Sequence, residues 1–218
     1  MITPHGSDHL TPLFVDDAAR RAELEAEAKE IPNIIVNSAA AANAVMLGAG
    51  YFTPLSGFMD RKNALSVAEN MQTSDGLFWP TPVLNLTNDL SALAGQSRVA
   101  LRDPNVEGNP VIAIQTIKNI EKLSASDLET ITQKVYGTTD KDHPGVATFT
   151  SLGDYVISGP IEVLNYSYFE TEFPGTFRTA MQIRDDIEKL GWQKVVAFQT
   201  RNPMHRAHEE LCLSLIHI

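Results

Sequence analysis

Apolar positions along the 218-residue chain follow two different patterns. Up to about residue 170 they come in short runs separated by clusters of Pro, Gly, Asp and Asn. Residues 16–30, rich in Ala, Glu and Arg and followed by Pro32, predict an exposed helix. The apolar run at residues 33–37 predicts a strand, and Ser38 is placed to cap a helix over residues 39–47 that Gly48 and Gly50 stop. Residues 81–86, 98–102 and 110–117 are short and β-rich, as in a small sheet or barrel. Residues 124–136 have helical spacing. Residues 155–164 read as a strand in which Gly159-Pro160 implies an edge or a bulge. Between Tyr51 and Met59, aromatics alternate with turn formers, and the plainest reading is a loop plugging a core.

The pattern changes near residues 171–175, where Pro174-Gly175 interrupts it and a domain boundary is expected. Ala180, Ile183, Ile187 and Leu190 then follow the spacing of a helix stripe, which Gly191 is placed to end. The unbroken run from Lys194 to Phe198 predicts a strand buried on both faces of a parallel sheet. Helix and strand together make the opening of a doubly wound α/β domain. The strand leads into a polar loop from Gln199, with Asn202 suited to cap the next helix and Pro203 to its first position.

Composition narrows the classes. With 43% hydrophobic and 20% charged residues the chain is composed like an ordinary globular protein. Its 17 basic and 27 acidic residues give a net charge of −10, which argues against a nucleic-acid binder and against an anionic membrane surface. The acidic excess lies in the first part: residues 1–170 hold 21 acidic and 11 basic side chains, and residues 171–218 hold six of each. The single Cys212 closes no intramolecular disulfide. The first residues lack the pattern of a secretory signal. The most apolar stretch, residues 39–50, falls short of the roughly 18 residues a membrane span needs. A cytoplasmic location is the expectation.

The chemistry concentrates after the predicted strand. Open α/β sheets bind ligands where a strand end feeds a loop and a helix N-terminus, whose N–H groups favour anions. Gln199, Thr200, Arg201, Asn202, His205, Arg206 and His208 place seven polar donors in ten residues. Taken singly, each Arg reads as a solvated charge and each His as a structural or surface residue. Together they point to an oxyanion or polyphosphate site. Zinc through His205, His208 and Cys212 is the weaker reading, since the spacing is not His-Glu-x-x-His and further ligands are missing.

Residues 199–208, followed by Glu209-Glu210-Leu211, resemble the QTRNPxHxxHEEL signature of the ATP sulfurylase (sulfate adenylyltransferase) family, of bacterial type. The resemblance extends to His5-Gly6, to residues 48–59, to residues 142–146 and to Gly159-Pro160-Ile161. It implies a PUA-like β-barrel domain over residues 1–170, then the first helix, strand, loop and helix of a Rossmann-like nucleotidyltransferase domain over residues 171–212. The implied reaction interconverts ATP plus sulfate and adenosine 5′-phosphosulfate plus pyrophosphate, with Mg2+ accompanying ATP, in a homo-oligomer. Carried over by position, Gln199 and Arg201 hold sulfate, Thr200 and Asn202 support the α-phosphate, and His205 and His208 bind ATP phosphates. Thr200, Arg201 and Asn202 are the implied catalytic set, and no metal-ligating residue is implied.

Two features depart from the family. Its glycine-arginine-aspartate motif has no counterpart here, so the chain alone is expected to be inactive. Residues 213–218 exchange helical spacing for near alternation and are expected to be a non-native tail, a short β tail being the alternative. Two other functions stay open: a different nucleotidyltransferase using a His-x-x-His loop on another acceptor, and a non-catalytic PUA-like binding module.

Overall fold

A computed structural model describes residues 2–200 and 202–215. The chain divides into two compact units, residues 2–182 and residues from 183 onward. In chain order the elements are α1 (Ala18–Glu27), β1 (Asn33–Ile35), α2 (Ser38–Gly48), β2 (Gly57–Phe58), α3 (Arg61–Asn70), β3 (Leu86–Thr87), β4 (Arg98–Arg102) and β5 (Val111–Thr116). They continue with β6 (Asn119–Lys122), α4 (Ala125–Tyr136), α5 (Pro144–Ser151), β7 (Tyr155–Val163), α6 (Phe169–Glu172), α7 (Ala180–Lys189) and α8 (Arg206–Leu215).

The first unit is built on a seven-stranded mixed sheet in the order β1-β4-β5-β7-β2, with β3 and β6 also paired to β7. Among the named strands of the described residues only β1 and β4 run parallel; the other pairs are antiparallel. Alternation along β4 divides the core. Ala100, opposite Ile114 of β5, packs with Leu24 and Ala28, while Val99 and Leu101 join the larger cluster with α2, α3 and β7. Arg98 ties α1 to the sheet by bonding Glu27 and Glu162, and Arg20 reaches the same Glu162.

The chain's own chemistry sets the helix ends. The α2 cap is Asn37, not Ser38: its Oδ1 accepts the Ala40 N–H at 2.8 Å. The Ser38 hydroxyl instead donates to Asn105. The expected strand over residues 81–86 shrinks to β3, because Pro80 and Pro82 supply no N–H for a ladder. The expected edge or bulge at Gly159-Pro160 lies inside β7, the most connected strand. On one side of β7, residues 116–118 face only residues 159 and 160 between the pairs Gln115–Ile161 and Asn119–Ser158. There β7 passes from β6 to β5. On its other side Gly159 and Pro160 pair with β2. The edge is therefore absent, and the extra residue lies in the passage from β5 to β6, not in β7.

At the start of α4, Ser124 and Asp127 form a reciprocal capping box. Arg61 of α3 donates to Asp127 from Nε and Nη2, both at 2.8 Å. The Arg61 hydrogen bonds outweigh burial and hold the Asp127 carboxyl at about 2, below its ordinary 3.8. A depressed carboxyl stabilises the fold above its unfolded value and loses that contribution as pH falls through the folded one. Urea midpoints should hold steady above pH of about 5 and decline between roughly pH 4 and 2. In Asp127→Asn that decline should flatten. Equal slopes for both proteins would contradict this role for the pair.

The first compact unit runs past the boundary expected near residues 171–175. The Ala180 N–H donates to the Ala49 carbonyl at 2.9 Å, and the Tyr51 hydroxyl donates to the Arg178 carbonyl. The Phe177 ring lies 5.3 Å from that of Tyr166 and 5.8 Å from that of Phe169. These contacts hold residues 171–182 to the first unit.

Candidate functional site

The second unit contains most of α7, the segment 190–205 and α8. The helix with apolar positions at Ala180, Ile183 and Ile187 forms as expected, and Gly191 follows it in the left-handed region at φ 66°. The strand expected over residues 194–198 does not form. This segment is in no ladder, and Val195 and Val196 are 55% and 59% exposed. A fully apolar strand needs neighbours on both edges and cover on both faces; among the described residues nothing pairs with it. Its apolar character is visible in the sequence, but the partners that would make it a strand are not.

Beyond this segment the polar loop closes on itself. The Asn202 N–H donates to Thr200 Oγ1, and that hydroxyl donates to the Asn202 carbonyl, both at 3.1 Å. Asn202 lies in this turn and does not cap the helix, and Pro203 is not its first residue. Instead α8 begins at Arg206, and its first bonds run from the His208 and Glu209 N–H groups to the His205 carbonyl, at 2.8 and 3.1 Å. The helix start lies three residues later than expected, with its first bonds at His205.

The two histidines come together as the spacing implied. Their ring centroids lie 3.9 Å apart with planes at 38°. His205 is exposed and His208 half-buried, with the Phe198 ring 5.6 Å from the latter. Gln199, Thr200 and Asn202 are exposed and carry no charge. Arg201 lies outside the described residues. What the loop offers is a set of neutral N–H, amide and hydroxyl groups, two imidazoles and a helix N-terminus. That combination suits an anion with several oxygens. No group of three or more His, Cys, Asp or Glu able to hold a metal occurs among the described residues.

The tail expected to begin at Leu213 starts as helix, since α8 continues to Leu215. A β conformation is excluded for residues 213–215, and residues 216–218 lie outside the described ones. Near-alternation over six residues is compatible with the last turn of a helix.

The sequence reading of Tyr51 to Met59 is a loop plugging a core, and Phe58 and Met59 are indeed buried. It missed that the neighbouring aromatics open onto a cleft of about 510 Å³ in the first unit, lined by His5, Tyr51, Phe52, Phe78 and Trp79 among others. The His5 ring bonds the Phe78 carbonyl at 2.7 Å. Three segments far apart in sequence meet there, a convergence no local pattern reveals. Other quoted motif residues have structural work. His143 Nδ1 accepts the Val146 N–H to cap α5, and a Cβ on Gly145 would lie 2.7 Å from the Tyr136 ring.

Comparison with known proteins accounts for both units. A PUA-like domain family matches residues 2–166, and the ATP-sulfurylase family matches residues 175–217. The sulfate adenylyltransferase of Alcanivorax borkumensis is 58% identical over 212 residues, which are 97% of this chain and 53% of that protein. The Allochromatium vinosum protein of the same name is also 58% identical, over the same shares. That of the Riftia pachyptila sulfur-oxidizing endosymbiont is 53% identical, over 97% of this chain and 48% of its own length. A solved structure, a hexameric APS kinase from Thiobacillus denitrificans, aligns with a TM-score of 0.74 at 27% identity, covering 99% of this chain and 37% of that one. The chain spans about half the length of the curated relatives it matches. No helix among the described residues is long and apolar enough to cross a membrane. The expected class, a PUA-like domain followed by the opening of a Rossmann-like nucleotidyltransferase domain, agrees with these matches; the structure alters the strand and the helix start within the second part. With a PUA-like domain over residues 2–166 and an ATP-sulfurylase segment over residues 175–217, the chain belongs to the ATP sulfurylase (sulfate adenylyltransferase) family.

Proposed function

We propose that the whole protein transfers the adenylyl group of ATP to sulfate, giving adenosine 5′-phosphosulfate and pyrophosphate, and also runs the reverse reaction. The observation that carries this reading is the loop 199–208, where a Thr200–Asn202 turn, two adjoining imidazoles and the start of α8 lie within the segment matched to ATP-sulfurylase. A sulfate oxygen attacks the α-phosphorus of ATP. The new P–O bond forms as the bond to the pyrophosphate oxygen breaks, and pyrophosphate leaves with that electron pair. Sulfate is a weak nucleophile and ATP a polyanion, so alignment and charge neutralisation supply the catalysis and no covalent intermediate is needed.

In this reading Gln199 and Arg201 hold sulfate, the Arg through the forked donor pair a tetrahedral oxyanion accepts. Thr200 and Asn202 support the α-phosphate as charge develops on it. His205 and His208 donate to the outer phosphates. Mg2+ supplies counter-charge to the polyphosphate. The loop carries no carboxylate, so the cation is assigned to the nucleotide's own oxygens and to no residue of this chain. The working protein is assigned to the cytoplasm and to a homo-oligomer; the hexameric state of the Thiobacillus denitrificans structure supports the latter.

The test is a chimaera in which the 212 matched residues of this chain replace their counterparts in the Alcanivorax borkumensis protein. Pyrophosphate release should require both ATP and sulfate, and this chain by itself should show none. Release from the chimaera that proceeds without sulfate, on another acceptor, would favour a different nucleotidyltransferase. A folded chimaera that binds ATP and releases no pyrophosphate would contradict the reading.

A further inference from the structure

The aromatic cleft of the first unit takes no part in the reaction proposed above, and among the described residues no Asp, Glu, Lys or Arg lines it. Its rim is held in place. The Thr73 N–H donates to the Leu77 carbonyl and the Trp79 N–H to the Met71 carbonyl, and the His5 ring bonds the Phe78 carbonyl, so the backbone carrying Phe78 is fixed on both sides. Phe78 is nevertheless 54% exposed and Tyr51 39%. Fixed aromatic side chains left in water beside further apolar ones mark an interaction surface.

The same rim anchors the chain where it leaves the first unit. The Tyr51 hydroxyl donates to the Arg178 carbonyl, the Ala180 N–H donates to the Ala49 carbonyl, and a Cβ on Gly50 would lie 3.6 Å from that of Ala180. The unit ends at residue 182. Nearly half of the Alcanivorax borkumensis protein lies outside its match to this chain. A partner attached by a short tether sees its site at about millimolar effective concentration, so it is held by contacts too few for a free protein, which needs roughly 1,000 Å² of buried surface.

We propose that this cleft is an internal docking site, filled in the whole protein by apolar side chains from the part that this chain does not span. The proposal rests on reading the chain as the opening of a longer nucleotidyltransferase. Tyr51, Phe78 and Trp79 are the receiving surface, and its lack of charge selects an apolar segment over the anionic substrates.

The experiment compares hydroxyl-radical labelling of this chain and of the chimaera described above, both unmutated and both shown to be folded by a cooperative urea transition, with a free peptide added as internal standard. Labelling of Phe78 and Tyr51 should fall at least fivefold in the chimaera. Equal labelling in the two proteins would overturn the proposal. So would protection that weakens on dilution, which would put a second copy in the cleft, or protection lost after refolding without small molecules, which would put a ligand there. Phe78→Ala gives the energetic counterpart: the urea midpoint of this chain should hold, because the ring lies in water, and that of the chimaera should fall by roughly 0.5 M. A midpoint unchanged in both would also overturn it. None of these readouts depends on turnover, so an inactive chimaera with Phe78 covered would uphold the docking site and contradict only the sulfate reading.

Discussion

Arg201→Ala, introduced into the chimaera with the Alcanivorax borkumensis protein, should lower sulfate-dependent turnover by two to three decades and leave the fold unchanged. A charge-assisted donor aimed at a desolvated oxyanion contributes roughly 2–4 kcal/mol, and neither water nor a neighbouring amide replaces it. Arg201→Lys should recover only part of the loss, because an ammonium keeps the charge and lacks the planar fork. Steady-state rates at varied sulfate, beside a thermal melt for each variant, give the comparison. Near-parent kinetics in Arg201→Ala would remove sulfate from this loop, whereas a lowered melting temperature would mean that the Arg serves the fold.

Gly159→Ala should have the largest effect on stability. Gly159 sits at φ 134°, a region L side chains rarely adopt, and an added Cβ would lie 2.1 Å from the Thr116 carbonyl oxygen. Thr116 is a residue of β5, and the next backbone neighbour, the Lys118 nitrogen at 3.1 Å, is held by its bond to the Ser158 carbonyl, so neither swings away. Backbone strain of about 1–3 kcal/mol joins an overpacking cost of about 1–3 kcal/mol. Together these take a large share of the roughly 5–15 kcal/mol that holds a domain together. Gly175→Ala is the control. Nothing lies within 4 Å of its added Cβ, and its φ is not in the left-handed region. It should be neutral or slightly stabilising. Urea unfolding of the two variants decides the matter; equal midpoints would show that β7 yields at its crossing from β6 to β5.

The elements legible in the sequence are those whose own residues carry the pattern. The strands at residues 98–102 and 111–116 and the helices at 125–136 and 180–189 each show their period locally. β6 does not. Asn119–Lys122 contains one apolar residue, Ile120, and is a strand only because β7 offers it a ladder. α5 hides behind Gly145 and β-branched residues, and the cap from His143 with Pro144 at the first turn makes it a helix. α3 buries Ala64, Val67 and Ala68, two of them side chains too small to mark a stripe, and takes its start from Asp60. Residues 194–198 fail in the opposite direction. Their apolar run states a demand for sheet neighbours, and a demand is not a partner.

The loop was legible in its residue types and much less in its geometry. Seven donors in ten residues point to an anion regardless of backbone path. The spacing offers Asn202 as the cap, whereas Asn202 bonds Thr200 and the first bonds of α8 run to the His205 carbonyl. Ser, Thr and Asn compete for such bonds, so spacing alone ranks the options without choosing. The approach of His205 and His208 survives this shift because a three-residue separation brings the rings together whether the first of them lies inside the helix or caps it.

The most direct measurement follows radiolabelled sulfate in the chimaera supplied with ATP and Mg2+. Label should enter a nucleotide that co-migrates with adenosine 5′-phosphosulfate, in step with pyrophosphate release, and both should vanish together in Arg201→Ala. Label that stays in inorganic sulfate, in a chimaera that is folded and binds ATP, would contradict the assignment of loop 199–208 as the site where sulfate meets the α-phosphate.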